Sequence, residues 1–222
     1  MNLTIFDPYA LDEDSDPIRI VRRAETNLGD LITDAFRIQS GADVAIICGG
    51  AFRKSISKGE ITIKDIIGAF PFGNRVYMAE VTGQQILNAL EWGVQSVPEE
   101  NGAFLQVSGM SFEIHTYIES SCMADENGLF AGVNGEYRVK NVMIGDKPLV
   151  LDRVYTLTSQ DYTLLNHGVG NTAFDGAKTI WHADLPDYGV AADYIREKLG
   201  GVVGDGYENP YGQGRIVAVD AP

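Results

Sequence analysis

Histidine is scarce in this sequence and cysteine scarcer: His115, His167 and His182, with Cys48 and Cys122, among 222 residues. A hydrolytic metal centre needs several histidine and acidic ligands at close spacing. These histidines lie far apart, form no HxH or HExxH pair, and no acid follows Asn166-His167. The two cysteines permit at most one disulfide and offer no metal-site spacing. Nucleophilic catalysis also lacks its marks. There is no G-x-S-x-G elbow, and Cys48 ends an apolar run with no evident base, the pattern of a buried structural thiol. Gly168-Val169-Gly170-Asn171-Thr172-Ala173 fits GxGxxA, but residues 162–166 separate it from the preceding strand and no suitably placed acid follows. It reads as a loop.

Long apolar runs are missing too. No stretch approaches the roughly 18 residues of a membrane-spanning helix, and the opening MNLTIFDPYALDED has neither the basic nor the apolar region of a signal peptide. Positive charge is in deficit, with 17 Lys and Arg against 31 Asp and Glu, net -14, and an isoelectric point near 4.5. That balance argues against nucleic-acid polymers and anionic membrane surfaces as partners. A small phosphorylated ligand would need local arginines to overcome the field.

What is present suits one large domain with a well-buried core: 45% hydrophobic and 22% charged residues. Residues 3–6 read as a short strand, 12–16 as a solvated acidic loop, and 18–23 as a strand bearing three arginines. Thr26 or Asn27 caps a helix over 28–40, whose Leu28, Leu31, Ile32, Ala35 and Phe36 form one apolar stripe; Gly41 stops it. The alternation at 75–81 predicts a strand, and Thr82 a helix from 83 to 95. Residues 104–115 and 137–144 read as antiparallel strands, 154–159 and 214–219 as strands, 189–199 as a helix, and 200–206 as a flexible loop. Strands and helices in mixed order favour an α+β fold with mixed sheets over a doubly wound parallel one.

The chain is organised around residues 43–74. An apolar β-branched run, 44–48, breaks at Gly49-Gly50, where backbone can approach a ligand or another segment closely. Arg53 is the first cation after that turn. Thr62 caps a short helix that stops before Pro71, and Phe72 is held between Pro71 and Gly73. An anion could sit at Arg53 and a flat ring on Phe72; the same residues would also serve an ion-paired arginine and a core phenylalanine.

Four motifs in fixed order, ETNLGDLITDAFR (25–37), GGAFR (49–53), PFGN (71–74) and FLQVSGM (104–110), resemble the C-terminal domain of the 5'-nucleotidase family. That family includes UDP-sugar hydrolases and 2',3'-cyclic phosphodiesterases, and the resemblance covers residues 18–219. It implies an α+β, 5'-nucleotidase C-terminal-like substrate-binding domain over 1–222, with 1–17 as linker and first strand. In such enzymes an N-terminal metallophosphoesterase domain holds two divalent metal ions and activates a water. The C-terminal domain clamps the base between two aromatics and holds phosphate with arginines, and a hinge brings the ester to the metals. The metal motifs of that first domain (DxH, GDxxD, GNHE) are not found here. The chain is therefore expected to hold no cofactor and no catalytic residue of its own, and to be inactive alone. Its expected partners are a nucleotide or related phosphorylated small molecule and the N-terminal domain of a parent chain, with Met1 at the domain boundary. The parent is expected to be exported and extracytoplasmic.

Carried over residue by residue, Arg22 and Arg53 match the family's two phosphate-contacting arginines, and Gly49 and Gly50 its glycine turn. Phe72 matches one half of the aromatic clamp and Tyr162, in Asp161-Tyr162, the other. Asn166 opens the segment matching the family's GGDG loop and is assigned to substrate binding with them. The sequence departs from the pattern at three places: Val169 replaces the Asp that meets ribose hydroxyls, His167 the first glycine, and Cys48 the Ser or Asn before the glycine turn. The reading is a substrate-recognition domain of a metal-dependent nucleotide hydrolase. The alternative is a stand-alone nucleotide- or small-anion-binding module, and a third is a relative acting on a sulfur or cyclic-phosphate substrate.

Overall fold

Thr26 opens the first helix, α1 (Asn27–Ser40): its side chain accepts the Gly29 amide, and Gly41 closes the helix in the left-handed conformation at φ 73°. The stripe Leu28, Leu31, Ile32, Ala35 and Phe36 is fully buried. It packs on a five-stranded sheet in which β1 (Val44–Cys48) is buried along its whole length. The α2 helix (Ile63–Ala69) starts at Thr62 with a reciprocal Asp65 cap. After β2 (Arg75–Thr82), α3 (Gly83–Gly93) starts at Thr82 with a reciprocal Gln85 cap. Then come β3 (Leu105–Ser108), β4 (Met110–His115), β5 (Cys122–Ala124), β6 (Phe130–Val133), β7 (Val139–Ile144), β8 (Lys147–Pro148) and β9 (Val154–Gln160). The one-turn helix α4 (Asp161–Leu164), β10 (Lys178–Pro186), α5 (Asp187–Asp193) and β11 (Ile216–Val219) complete the elements used below. The structure is a computed structural model and describes residues 1–221.

The fold is α+β with mixed sheets. A five-stranded sheet runs β10-β2-β9-β1-β3, a four-stranded sheet β11-β4-β7-β8, and β5 and β6 form a hairpin. Parallel pairs join β1 to β9 and β11 to β4; the others are antiparallel. The expected strand at 104–115 is two strands in two sheets, broken at Gly109 (φ 75°), whose backbone lies against the Asp43 carbonyl.

Four other expectations give way in part or whole. Residues 18–23 are not a strand, because Ile20–Arg22 close a 3-10 turn. The linker and first strand assigned to 1–17 contribute only isolated bridges, Leu3 to Ile56 and Leu11 to Pro17, although Leu3 and Ile5 are core residues. The 200–206 loop includes the start of a 3-10 turn, Asp205–Tyr207, with Tyr207 buried. The final helix runs as α5 and then a π-turn, Tyr194–Lys198.

The motifs around α1 and β3 are knitted together by buried polar groups. Gln106 on β3 accepts the Thr26 amide through Oε1 (3.0 Å) and donates through Nε2 to the carbonyls of Val21 (3.1 Å) and Ala24 (2.7 Å). Its side chain fills the space a Cβ at Gly29 would need. Glu25 accepts the backbone amides of Gln213 (2.5 Å) and Ile216 (2.8 Å). Asp34 accepts from Ser108 (2.5 Å), Tyr207 (2.9 Å) and Arg215 (2.8 Å). Asp30, fully buried beside them, has Arg215 Nε at 3.6 Å and no hydrogen-bond partner for either oxygen.

Burial raises the Asp30 carboxyl to about 8, with Arg215 opposing and Glu25 adding to the shift. The folded state therefore holds this proton more tightly than the unfolded chain does. The resulting stability is full below the ordinary value of 3.8 and is lost as pH rises through about 8. Asp30→Asn removes the titration while keeping the shape. Its stability relative to the parent should rise steadily between pH 5 and about 9, as read by urea denaturation across that range. A difference that does not change with pH contradicts this account of Asp30.

Candidate functional site

A cleft of about 330 Å³ opens where β1 ends, lined by Gly50, Ala51, Arg53, Phe72, Asn74, Tyr162 and Val169. The glycine turn after β1 is a 3-10 turn, Gly49–Ala51. A Cβ at Gly49 would overlap the Val21 carbonyl oxygen, so glycine is what lets the Arg22 segment lie against the turn. Gly50 donates to Gly102 O (2.9 Å), fixing the cleft floor.

Phe72 and Tyr162 come from opposite sides of the sheet's sequence but share one anchor. The Asp161 carboxylate accepts the Tyr162 amide (2.9 Å) and the Arg75 amide (3.3 Å), tying the start of α4 to the start of β2 beside PFGN. The Asn74 carbonyl accepts the Asp187 amide (2.8 Å), so α5 holds the same loop from behind. Phe72 is 59% exposed and Tyr162 43%. In a protein whose core phenylalanines are sealed, two open rings on one cleft are surfaces for stacking.

The two arginines differ in setting. Arg53 is exposed, with its guanidinium carbon 5.9 Å from the Phe72 ring centroid. Arg22 is half-buried and its Nε is buried without a hydrogen-bond partner. Its pKa is lowered by burial first, then by the charges of Arg19 and Arg53, while Glu100 opposes. Neither Arg22 nor Arg53 has a salt-bridge partner among the described residues. Glu25, the obvious alternative partner for Arg22, is committed to the Gln213 and Ile216 amides.

Of the residues singled out in the sequence, the cleft brings together Gly50, Arg53, Phe72 and Tyr162. Gly49 is buried behind the turn and Arg22 stands beside the lining. Asn166 is outside the lining. Its amide closes α4 onto the Asp161 carbonyl (3.1 Å), and the residue is exposed beyond that turn. Ala51 and Asn74 line the cleft without having been assigned to substrate binding, and Val169, singled out in the sequence only as a departure from the family pattern, lines it too; Asn74 sits inside the PFGN motif, which was the available signal.

The wall formed by residues 168–170 is strained. Val169 has φ 53° and His167 φ 52°, left-handed values that are exceptional for a β-branched residue such as valine. Trp92 Nε1 donates to Val169 O (2.9 Å), Val169 N donates to Tyr162 Oη (3.3 Å), and His167 pairs with Asp175 at 2.6 Å. A small second core of Trp92, Ala103 and Phe130 backs this wall. Among the described residues, no group of three or more His, Cys, Asp or Glu is placed to hold a metal ion. None of their helices is long and apolar enough to cross a membrane.

The chain is thus a mixed α+β domain with a cleft walled by two aromatic rings and bordered by Arg53. The profile of the family described as "5'-nucleotidase, C-terminal domain" matches residues 11–176, and the chain belongs to that family. It is 32% identical over 211 residues to the Bacillus subtilis trifunctional nucleotide phosphoesterase protein YfkN, covering 91% of this chain and 13% of that protein. It is 34% identical over 176 residues to a 5'-nucleotidase of Vibrio parahaemolyticus, covering 79% of this chain and 28% of that protein. Among solved structures, the 5'-nucleotidase precursor of Thermus thermophilus superposes with a TM-score of 0.74 at 32% identity, over 91% of this chain and 37% of that one. The chain thus spans well under half the length of these relatives.

Gly168 tests how the wall is built. A Cβ there would overlap the Tyr162 carbonyl oxygen and ring. Gly168→Ala should cost about 1–3 kcal/mol and displace Tyr162, whereas Gly204→Ala, with nothing within 4 Å of the added carbon, should leave stability nearly unchanged. Guanidinium denaturation of both variants checks this; equal stabilities would show that Tyr162 does not rest on Gly168.

Proposed function

We propose that this chain is the substrate-recognition domain of a metal-dependent nucleotide hydrolase of the 5'-nucleotidase type. In this reading the base enters between Phe72 and Tyr162, and Arg53 and Arg22 hold the phosphate. The observation that carries it is one cleft lined by two exposed rings and by Arg53, which has no carboxylate partner, with the equally unpaired Arg22 beside that lining. Two cations side by side repel, and an anion between them relieves that repulsion and supplies the buried Arg22 Nε with an acceptor. In a chain of net charge -14, such a local pair is what an anionic ligand requires.

The reaction itself belongs to the partner domain the resemblance implies, with its two divalent metal ions and an extracytoplasmic setting. This chain's residues bind and orient. The third reading, a sulfur or cyclic-phosphate substrate, keeps the same arginines and changes only what lies between the rings. The stand-alone binding module uses the same cleft and differs only in having no catalytic partner.

The arginine and the rings separate in one experiment. Arg53→Ala should weaken binding of a nucleoside monophosphate by roughly tenfold or more and hardly affect the uncharged nucleoside. Lysine at the same position should recover only part of the loss, since the two-pronged contact is gone. Phe72→Ala and Tyr162→Ala should each weaken both ligands, by roughly five- to a hundredfold. Calorimetric titration of each variant reads these effects. Equal loss of nucleoside and nucleotide in Arg53→Ala would assign the arginine to supporting the loop.

A further inference from the structure

A second cleft, of about 410 Å³, opens at the other end of β1 from the aromatic one. Asp43, on its lining, precedes β1 and the Gly49 turn follows it, so a five-residue strand, about 17 Å long, separates the two. Three cations from distant segments line this second cleft: Arg37 of α1, Lys147 of β8 and Arg153 just before β9. None of them is in a salt bridge among the described residues. Two acids share the lining. Asp43 is turned to β9, where its carboxylate accepts the Thr156 amide (2.8 Å) and hydroxyl (2.9 Å). Asp146 is exposed at the turn between β7 and β8 and makes no ion pair. Three cations thus face two acids here, the reverse of the balance in a chain with 17 Lys and Arg against 31 Asp and Glu.

The two arginines are held in place before any ligand arrives. Arg37 Nε donates to Ser108 Oγ (2.7 Å), and Ser108 is itself anchored on Asp34. The Arg37 stem occupies the space a Cβ at Gly109 would need, and its two terminal nitrogens have no acceptor in the protein. The Arg153 guanidinium lies 4.9 Å over the Tyr155 ring. Its backbone is pinned on both sides, by Val150 O (3.2 Å) and by the Gly83 amide (2.9 Å). The Gly145 amide donates to Gly109 O (2.9 Å), which seats the hairpin carrying Lys147 beside Arg37. A guanidinium fixed by stacking or by its Nε keeps planar N–H edges free, and those edges match phosphate oxygens. We propose that this cleft is a second anion site, taking the phosphate group of a small phosphorylated molecule independently of the aromatic cleft. Arg37 and Arg153 meet the phosphate oxygens, and Lys147 adds a point charge. Ile144 and Pro148, on the same lining, meet the organic part, so a phosphate monoester binds more tightly than inorganic phosphate. The site uses neither Arg53 nor the rings and stands whether or not the nucleotide reading holds.

Calorimetric titration with monobutyl phosphate, which has no ring to stack, and with inorganic phosphate tests it. The host is Arg53→Ala, in which the first cleft has lost its own anion contact. Monobutyl phosphate should bind this host, and more tightly than inorganic phosphate does. Adding Arg153→Ala should weaken that binding by roughly tenfold or more, the range of one charge-assisted hydrogen bond. Adding Lys147→Ala instead should weaken it by about two- to fivefold, the range of an exposed ion pair. Both side chains are exposed, and Lys147→Ala leaves the stacked pair intact, so it reads the site even where Arg153→Ala disturbs the fold. No binding to the host, or binding indifferent to both added substitutions, overturns the proposal. Inorganic phosphate binding as tightly as the ester, or more tightly, overturns the assignment to an ester and leaves a site for free phosphate.

Discussion

One buried amide, Gln106, ties the turn that carries Arg22 to the start of α1. Its three hydrogen bonds reach Val21, Ala24 and Thr26, in and after the 3-10 turn and outside any sheet. A buried turn without such partners would leave these backbone groups unpaired, at a cost near 1–3 kcal/mol each. Gln106 removes that cost and thereby fixes where Arg22 stands relative to the glycine turn. The same bond positions the Thr26 cap and so the start of α1. Shortening this side chain would disturb helix, loop and arginine together.

Around that amide lies a set of buried carboxylates that serves architecture, not chemistry. Glu25, Asp30 and Asp34 resemble a catalytic cluster when read as a motif. Two of them accept backbone amides, hydroxyls and Arg215, and the third is driven toward its neutral form chiefly by burial, with Glu25 adding to it. Glu91 plays a similar part elsewhere, accepting the Arg138 and Val139 amides (2.8 and 2.9 Å) while Arg138 donates to the carbonyls that end α3. Strong sequence patterns in this chain thus divide cleanly. Those in α1 and β3 build the frame, and those after β1 and before β2 face solvent in the cleft.

That division also explains what the sequence disclosed. The helices capped by Thr26, Thr62 and Thr82 were legible because a hydroxyl before an amphipathic run is a local signal, and the buried strand β1 because its apolar run has no polar break. The 3-10 turn at Ile20–Arg22 was hidden, since an alternating Ile-Arg-Ile pattern imitates a strand and the turn is held by its own backbone bonds together with long-range bonds from Gln106 and Asn101. The split between β3 and β4 turned on Gly109 approaching the Asp43 carbonyl, a contact between segments more than 60 positions apart. Strand β10, with bulges at Thr179–Trp181 and His182–Pro186, carries no clean alternation to read. In the cleft, arginine and aromatic types were visible as types. Val169 was visible as a departure from the family pattern, but its left-handed backbone, held by Trp92 from another helix, was not.

Glu25 has a consequence for how the molecule is made. Its two acceptor oxygens wait for amides 188 and 191 positions away, and Asp34 waits for a guanidinium 181 positions away. Contacts of such separation are closed late and slow a folding reaction. A nascent chain emerging in order would have its cleft-bearing segments available while these acids still faced water. Commitment of α1 to the sheet is thus deferred until residues 213–216 arrive, and a ribosome stalled before them would leave a domain with its recognition surface written but its frame unlocked.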